Sequence, residues 1–199
     1  MSATIVYETH STTVDNENNV STGWLPGELS AQGRLQATQL GARRGDDGVD
    51  AVIASDLARA VETARIAFGD GGPPVAADSR LRECDYGDWN GTGKPLRAGR
   101  LDFLDRPYPG GESYTQAVAR TGELLDEIAA GRHGCRVLLI GHRVTFFALE
   151  HLWNGRSLAE VVTAQFEWRP GWTYLSPRRQ QPQAAGWAAP TRQGRSARG

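Results

Sequence analysis

The sequence predicts an α/β protein, a three-layer α/β/α sandwich with a mostly parallel central sheet. Short apolar runs alternate with longer stretches in which apolar residues recur at helical spacing. Such alternation is typical of parallel sheets, because a helix usually connects each strand to the next. Two of the apolar runs lead directly to a histidine, His10 and His142. If both strands end at the same edge of the sheet, these side chains meet where open α/β sheets bind their ligands.

The N-terminal half contains two strand–helix units. Ser30 is a suitable N-cap for a helix in which Leu35, Ala37 and Leu40 form one apolar face. A second apolar run is followed by a Ser-Asp pair that starts another helix, and a stretch rich in Gly and Pro ends that helix. The predicted elements are the strands 5–7 and 49–54, the helices 29–44 and 56–68, and the loops 14–29 and 69–74.

The C-terminal half begins with an irregular stretch, residues 80–111, that shows no periodic pattern. Tyr114, Val118, Leu125 and Ile128 then recur on one face of a helix. The run Arg-Val-Leu-Leu-Ile-Gly before His142 is the most strand-like of the chain. The predicted elements are the helices 112–130 and 145–153 and the strands 136–141 and 168–175.

Length and composition predict one globular domain, residues 1–176, because 199 residues suffice for a single substantial core. Residues 177–199 are rich in Pro, Gln, Arg, Ala and Gly, which predicts a disordered tail. A formal net charge of -1 gives no general attraction to nucleic acid or membranes, so an anion-binding site would have to be local. No segment has the pattern of a membrane span or a signal peptide, and we expect a cytoplasmic protein. The sequence does not decide between a monomer and a homodimer.

Several short motifs follow one another along residues 3–175. Together and in this order they resemble the histidine phosphatase superfamily, the phosphoglycerate-mutase-like proteins. The opening motif of that family is a strand ending in Arg-His-Gly, followed by a Thr and an Asn. The matching stretches are THSTTVDN (9–16), GWLPGELSAQGRLQA (23–37), SDLARAVETA (55–64), LRECDYGDWNG (81–91), PGGES (109–113) and IGHR (140–143).

The resemblance implies a site in which His10 attacks a phosphoryl group and forms a phosphohistidine. It implies that Glu83 is the proton donor, that Arg59 lies in the phosphate pocket and that His142, as an imidazolium, is the second histidine. Such chemistry depends chiefly on positioning and on cationic groups around the phosphoryl oxygens. It requires no metal and no cofactor. The remaining expected phosphate ligands are Ser11, Thr13, Asn16 and Arg143.

One position departs from the family pattern. Thr9 stands where the family has the arginine that precedes the catalytic histidine. A neutral hydroxyl cannot replace the planar, permanently charged fork of a guanidinium. Arg143, next to His142, is the nearest candidate to replace the missing charge, and Arg82, next to Glu83, is the second.

The sequence therefore predicts a metal-independent phosphomonoester hydrolase that acts on a small phosphorylated metabolite. The alternatives are a non-catalytic member that binds a phosphate or carboxylate ligand and, with less support, a mutase, because the region between Glu83 and Glu112 is short for a lid. Thiol phosphatases are excluded, since neither Cys84 nor Cys135 has an arginine six residues later, and both cysteines are expected to be reduced. Aromatic and basic residues of the irregular stretch are candidates for the substrate pocket: Tyr86, Trp89, Lys94, Arg97, Arg100 and Phe103.

Overall fold

A five-stranded sheet forms the centre of the protein, whose computed structural model describes residues 2–69, 71–93 and 99–177. The strands are β1 (Thr4–Thr9), β2 (Ala51–Ser55), β3 (Val75–Asp78), β4 (Arg136–Gly141) and β5 (Trp172–Leu175). Their order across the sheet is β3-β2-β4-β1-β5. The first four are parallel to one another, and β5 runs antiparallel to β1. The predicted sheet is therefore confirmed.

Six α-helices lie in the described ranges: α1 (Val14–Glu17), α2 (Ala31–Arg44), α3 (Ala58–Phe68), α4 (Tyr114–Gly131), α5 (Arg143–Ala148) and α6 (Leu158–Thr163). Side chains fix several of the helix starts. The hydroxyl of Ser30 accepts the backbone N–H of Gly33, as predicted for the start of α2. Ser113 and Gln116 form a reciprocal capping box at the start of α4.

Both faces of the sheet are covered by helices. On one face, Val6 and Ile140 of the sheet pack with Leu40 of α2 and with Ala64 of α3. On the other face, residues that alternate with them along the strands pack against α4 and α5. This second layer includes Ile5, Tyr7, Val137, Leu139, Leu125, Ile128, Val144 and Phe147. Burial on both faces explains the nearly continuous apolar character of β1 and β4. The predicted three-layer sandwich is confirmed.

Some elements differ from the prediction. The strand β3 and the helix α6 were not predicted, because each is short and β3 lies at the sheet edge with two exposed side chains. The last strand begins at Trp172 rather than at residue 168, since Pro170 and the positive φ of Gly171 form a turn before it. In the described part of the chain, no helix is both long and apolar enough to cross a membrane. The predicted tail, apart from Pro177, lies outside the described residues.

Candidate active site

The two histidines meet because their strands are neighbours. β1 and β4 pair in parallel, with Thr9 opposite Gly141, so His10 and His142 follow at adjacent strand ends. The backbone N–H of His10 donates to the carbonyl of Gly141 over 3.0 Å, which extends the ladder by one bond. The centroids of the two imidazole rings lie 4.9 Å apart. The sheet therefore brings together two residues that are far apart in the chain.

His10 presents a neutral imidazole with one free ring nitrogen. Its Nδ1 lies 2.8 Å from the carbonyl oxygen of Ser11. A carbonyl only accepts, so Nδ1 carries the proton and Nε2 keeps its lone pair. Burial, and then the nearby charge of Arg59, lower the pKa of His10 from 6.5 to about 3. At neutral pH, Nε2 of His10 is therefore unprotonated and keeps its lone pair.

His142 is almost completely buried and is held in the opposite tautomer. Nη2 of Arg59 lies 3.3 Å from Nδ1 of His142. Because a guanidinium only donates, Nδ1 accepts and the proton lies on Nε2. Burial and the charge of Arg59 lower the pKa of His142 well below 6.5. The ligand-free site thus holds a neutral His142, where the sequence had indicated an imidazolium. Among the described residues, its Nε2 has no hydrogen-bond partner.

Arg59 is the cation closest to the two histidines. It lies in the first turn of α3 and is 2% exposed. Its guanidinium also donates to the carbonyls of Gly23 over 2.8 Å and Leu25 over 3.1 Å. These bonds fix the guanidinium at the floor of the cavity, where the sequence had placed it.

Glu83 reaches the site from residues 79–93, which we call the acid loop. One carboxylate oxygen, Oε1, accepts the backbone N–H of Cys84 over 2.8 Å. The other, Oε2, accepts the backbone N–H of Arg143 over 3.3 Å, and so contacts the residue that follows His142. The structure therefore places the predicted proton donor, Glu83, in the same cavity as the two predicted histidines.

Arg120 of α4 holds the acid loop in place. It donates to the carbonyls of Arg80, Arg82 and Glu83 over 2.8–2.9 Å. It also forms two short bonds to the carboxylate of Glu112. The indole N–H of Trp24 donates to the same Glu83 carbonyl over 2.6 Å. Arg120 was not predicted from the sequence, although a charged residue beside the apolar face of α4 was the available signal.

His10, His142, Arg59 and Glu83 line one cavity of about 540 Å³. Among the described residues, four arginines and two glutamates contribute to its walls, which makes the cavity cationic although the whole chain is not. A cationic cavity above a neutral nucleophile suits an anionic substrate. The charged lining residues are Arg43, Arg59, Arg100, Arg143, Glu8 and Glu83.

The other predicted phosphate ligands take different positions. Ser11 and Asn16 line the cavity, and Ser11 is buried with its N–H bonded to the hydroxyl of Thr63. Thr13 is a correction to the prediction: its side chain is fully buried and accepts the N–H of Asn16, so it caps α1. Asn16 completes that capping box by accepting the N–H of Thr13.

Of the two candidates to replace the missing arginine, only Arg143 lines the cavity, as Thr9 does. Its Nη2 donates to the carbonyl of Ala164 over 2.7 Å, and its guanidinium lies 5.3 Å from the ring centroid of Phe166. Its buried Nε has no partner within the described ranges. Arg82 instead forms a bidentate ion pair with Asp56, over 2.8 and 2.6 Å, and is not available.

The predicted pocket residues of the irregular stretch are divided between two regions. Tyr86 and Arg100 line the cavity. Trp89 and Phe103 instead pack with Tyr108, since the rings of Phe103 and Tyr108 stack with centroids 3.9 Å apart. Lys94 and Arg97 lie outside the described residues.

Two further features bear on the chemistry. Over the described ranges, no group of three His, Cys, Asp or Glu residues could hold a metal ion. The thiol of Cys84, next to Glu83, is completely buried, and burial raises its pKa far above the usual value. It is therefore not a nucleophile at neutral pH.

Comparisons with known proteins show the family of the chain. The model of the histidine phosphatase superfamily (branch 1) matches residues 9–190, and the chain belongs to this superfamily. A 2,3-bisphosphoglycerate-dependent phosphoglycerate mutase of Methylobacterium sp. (strain 4-46) is 31% identical over 174 residues, which cover 78% of this chain and 82% of the relative.

Solved structures show the same fold. YhfR of Bacillus stearothermophilus superposes with a TM-score of 0.76 and 25% identity, over 86% of this chain and 90% of that one. A mycobacterial glucosyl-3-phosphoglycerate phosphatase, solved with VO3, gives a TM-score of 0.71 and 30% identity, over 81% of this chain and 87% of that one. The relatives are named as phosphatases and mutases, which places the chain among phosphoryl-transfer enzymes.

Proposed function

We propose that the protein is a metal-independent phosphomonoester hydrolase that works through a phosphohistidine on His10. The observation that carries the proposal is the pairing of the two histidines in opposite tautomers. Both residues line the cavity, and Nε2 of His10 keeps a lone pair, whereas Nε2 of His142 carries a proton. One histidine is thus equipped to attack phosphorus, and the other to hold a phosphoryl oxygen.

In the first step, Nε2 of His10 attacks the phosphorus in line, and a P–N bond forms as the P–O bond to the leaving group breaks. Glu83 gives its proton to the departing alkoxide. Arg59 and the N–H of His142 stabilise the negative charge on the equatorial oxygens. Arginines supply here the positive charge that metal ions supply in other phosphoryl-transfer sites.

In the second step, a water attacks the phosphohistidine from the side that the leaving group has vacated. Glu83, now a carboxylate, takes the proton of that water, and the P–N bond breaks. Inorganic phosphate leaves, and His10 returns to its neutral form. The same carboxyl group thus serves both steps, which fits its position beside Arg143 and His142.

A mutase is the second candidate, because named relatives of the chain are mutases. The two reactions share the first step and differ in what accepts the phosphoryl group. The short region between Glu83 and Glu112 supports water as the acceptor, since it offers little chain for a lid that would retain an intermediate. A non-catalytic binder would use the same cationic cavity without turnover.

Turnover of p-nitrophenyl phosphate in the presence of EDTA tests the proposal. We expect the wild-type protein to release p-nitrophenol, and rapid quench to trap an acid-labile, base-stable phosphoryl adduct on His10. His10→Ala should lose at least about 10³-fold in kcat. His151→Ala, which changes a histidine outside the cavity, is the control.

Four outcomes would overturn the proposal. An adduct on another residue, or an active His10→Ala variant, would reject the mechanism. Conversion of 3-phosphoglycerate that depends on added 2,3-bisphosphoglycerate, and is faster than phosphate release, would assign a mutase. Phosphate binding by the wild-type protein, without turnover of any compound in a panel of phosphorylated metabolites, would assign the non-catalytic binder.

A further inference from the structure

One peptide group governs the position of the proton on His10. The carbonyl of Ser11, which accepts the Nδ1–H of His10 over 2.8 Å, belongs to the same planar unit as the backbone N–H of Thr12. A rotation of this unit would carry the carbonyl away from the imidazole. The tautomer that leaves Nε2 of His10 free therefore depends on what holds the peptide that joins Ser11 to Thr12.

Gln36 of α2 holds that peptide from its other side. The N–H of Thr12 donates to Oε1 of Gln36 over 3.0 Å, so the glutamine binds the end of the peptide opposite to the carbonyl. Gln36 lies in the second turn of α2 and is half-buried in the wall of the cavity. The helix backbone is close to this loop, since a Cβ on Gly33 would clash with the carbonyl oxygen of Thr12. Gly33 thus allows α2 to approach to the distance that a glutamine side chain can span.

The backbone groups on either side of this peptide are held by other residues. The N–H of Ser11 donates to the hydroxyl of Thr63 over 3.0 Å, and the carbonyl of Thr12 accepts the N–H of Ser30 over 3.0 Å. These two bonds fix the ends of the segment, but neither is made to the peptide group that His10 uses. In the described part of the chain, the hydrogen-bond partners of that peptide group are His10 and Gln36.

We propose that Gln36 is a positioning residue, which holds the peptide that joins Ser11 to Thr12 and thereby keeps the proton of His10 on Nδ1. The assignment rests on the proposed hydrolase, because attack on phosphorus requires the lone pair of Nε2. Hydrogen bonds in a chain polarise one another, so the bond from Thr12 to Gln36 also makes the carbonyl of Ser11 a stronger acceptor. Gln36 acts through this peptide and takes no part of its own in the transfer of the phosphoryl group.

Nitrogen NMR of the ligand-free protein tests this role, because it distinguishes protonated from unprotonated ring nitrogens. With nitrogen-labelled histidine, and with His10→Gln to identify the His10 signals, we expect the wild-type protein to carry this proton on Nδ1 at neutral pH. Gln36→Leu should give a mixture of tautomers at His10 and should leave His142, which Arg59 orients, unchanged. Gln36→Asn withdraws the amide from Thr12 by one methylene, and should do the same without adding an apolar group. Gln36→Glu keeps an acceptor and should preserve the wild-type tautomer.

Rapid quench with p-nitrophenyl phosphate measures the kinetic consequence. Gln36→Leu should slow the formation of the phosphohistidine about 10- to 100-fold, because the imidazole of His10 is both misoriented and partly in the wrong tautomer. Its affinity for inorganic phosphate should change by less than about threefold. Gln36→Glu should keep this rate within about threefold of the wild type, while its added negative charge weakens phosphate binding. Gln32→Leu makes the same change at an exposed position of α2 outside the cavity, and should retain the wild-type rate and affinity.

The outcomes separate the role of Gln36 from the hydrolase. A Gln36→Leu variant with the wild-type tautomer, or with an unchanged rate of phosphohistidine formation, would overturn the role and leave the hydrolase intact. So would a Gln36→Glu variant that loses the tautomer as Gln36→Leu does, since an acceptor would then not be what holds the peptide. A wild-type His10 protonated on Nε2 would overturn both. If the wild-type protein turns over no phosphate ester, the hydrolase fails, and the tautomers of the same variants still decide whether Gln36 positions His10.

Discussion

The strand ends that carry the two histidines and the acid loop that carries Glu83 reach the same cavity by different means. His10 and His142 are positioned by the backbone ladder between β1 and β4, which the N–H of His10 continues. Glu83 lies outside the sheet, and its carbonyl is held by side chains from elsewhere in the fold. A ladder distributes its hydrogen bonds over many residues, whereas the acid loop depends on a few long side chains. The histidine end should therefore tolerate single substitutions better than the acid loop.

Removal of the Arg120 guanidinium should have the largest effect. Arg120→Leu removes three bonds to carbonyls and two bonds to the carboxylate of Glu112, and it leaves the Arg82 carbonyl without its donor, which should lower the free energy of unfolding by about 2–4 kcal/mol. Displacement of Glu83 should lower kcat for an alkyl phosphate about 100-fold. The loss should be smaller with p-nitrophenyl phosphate, because its leaving group needs little help from an acid.

The difference between the two leaving groups is the decisive measurement. A structural defect alone would lower both rates equally, and that result would reject Arg120 as a positioning residue for the acid. Arg106→Leu is the matched control, since the guanidinium of Arg106 contacts the ring of Phe103 and does not line the cavity. We expect it to leave both rates within about twofold of the wild type.

Loss of the Arg143 side chain should have the next largest effect. This residue follows His142 at the strand end and also contacts Glu83 of the acid loop. Its backbone contacts Glu83, and its side chain is the proposed substitute for the arginine that Thr9 replaces. Arg143→Ala should lower kcat/KM for p-nitrophenyl phosphate about 10- to 100-fold, the size of a lost charge-assisted contact. Addition of Thr9→Arg should recover part of that loss. Arg156→Ala, which removes an exposed arginine paired with Glu150, is the control.

One pattern of results would contradict both the proposal that Arg143 replaces the missing arginine and the proposed hydrolase. It is a silent Arg143→Ala together with phosphatase activity that first arises in Thr9→Arg. The wild-type site would then lack the charge that turnover needs, and the cavity would serve ligand binding.

The neutral histidines should make the histidine end sensitive to acid. Their pKa values are lowered in the folded protein, to about 3 for His10, while the unfolded chain keeps about 6.5. Between these values the unfolded state binds more protons, so stability falls as the pH drops below about 6.5. Each histidine contributes a slope of at most about 1.4 kcal/mol per pH unit. Urea unfolding of His10→Gln/His142→Gln between pH 6.5 and 4.5 should show a shallower slope than the wild type. An unchanged slope would exclude this origin of acid sensitivity.

Loss of a single hydrogen bond at the histidine end should have the smallest effect. The hydroxyl of Tyr7 donates to the carbonyl of His142 over 2.6 Å. Tyr7→Phe should lower the free energy of unfolding by about 1–2 kcal/mol, and should change kcat by less than about threefold, because the ladder still positions His142. A loss of kcat as large as that of Arg120→Leu would show that the histidine strand ends depend on single side-chain contacts as much as the acid loop does.

The contrast between the backbone ladder and the long side-chain contacts also explains which parts of the site could be predicted from the sequence. The strands before His10 and His142 are continuous apolar runs, and parallel pairing of such strands brings their ends together. Patterns of this kind located both histidines, whereas the resemblance to the family motifs located Arg59 and Glu83. Thr13 was assigned to phosphate because its motif position matches the family, whereas its hydroxyl caps α1. Local sequence cannot distinguish a capping hydroxyl from one that faces a ligand.

Long-range side-chain contacts account for most of what the sequence did not predict. Arg120 lies 37 positions from Glu83, and no periodic pattern connects the two residues. Arg43 and Arg44 are adjacent and chemically identical, yet only the structure shows that Arg44 makes the shorter bonds to Glu8, over 2.9 and 2.8 Å. β3 was missed for another reason, since four residues with two exposed side chains carry too little signal for a strand.

The buried thiol of Cys84 bears on how the site responds to oxidising and alkylating agents. Peroxides and alkylating agents attack thiolates that solvent can reach, and the acid loop offers neither the charge nor the access at this position. Thiol phosphatases lose activity when their nucleophile is oxidised. With the proposed imidazole nucleophile and an inert sulfur beside the proposed acid, the chemistry of this cavity would not depend on the redox state of its surroundings.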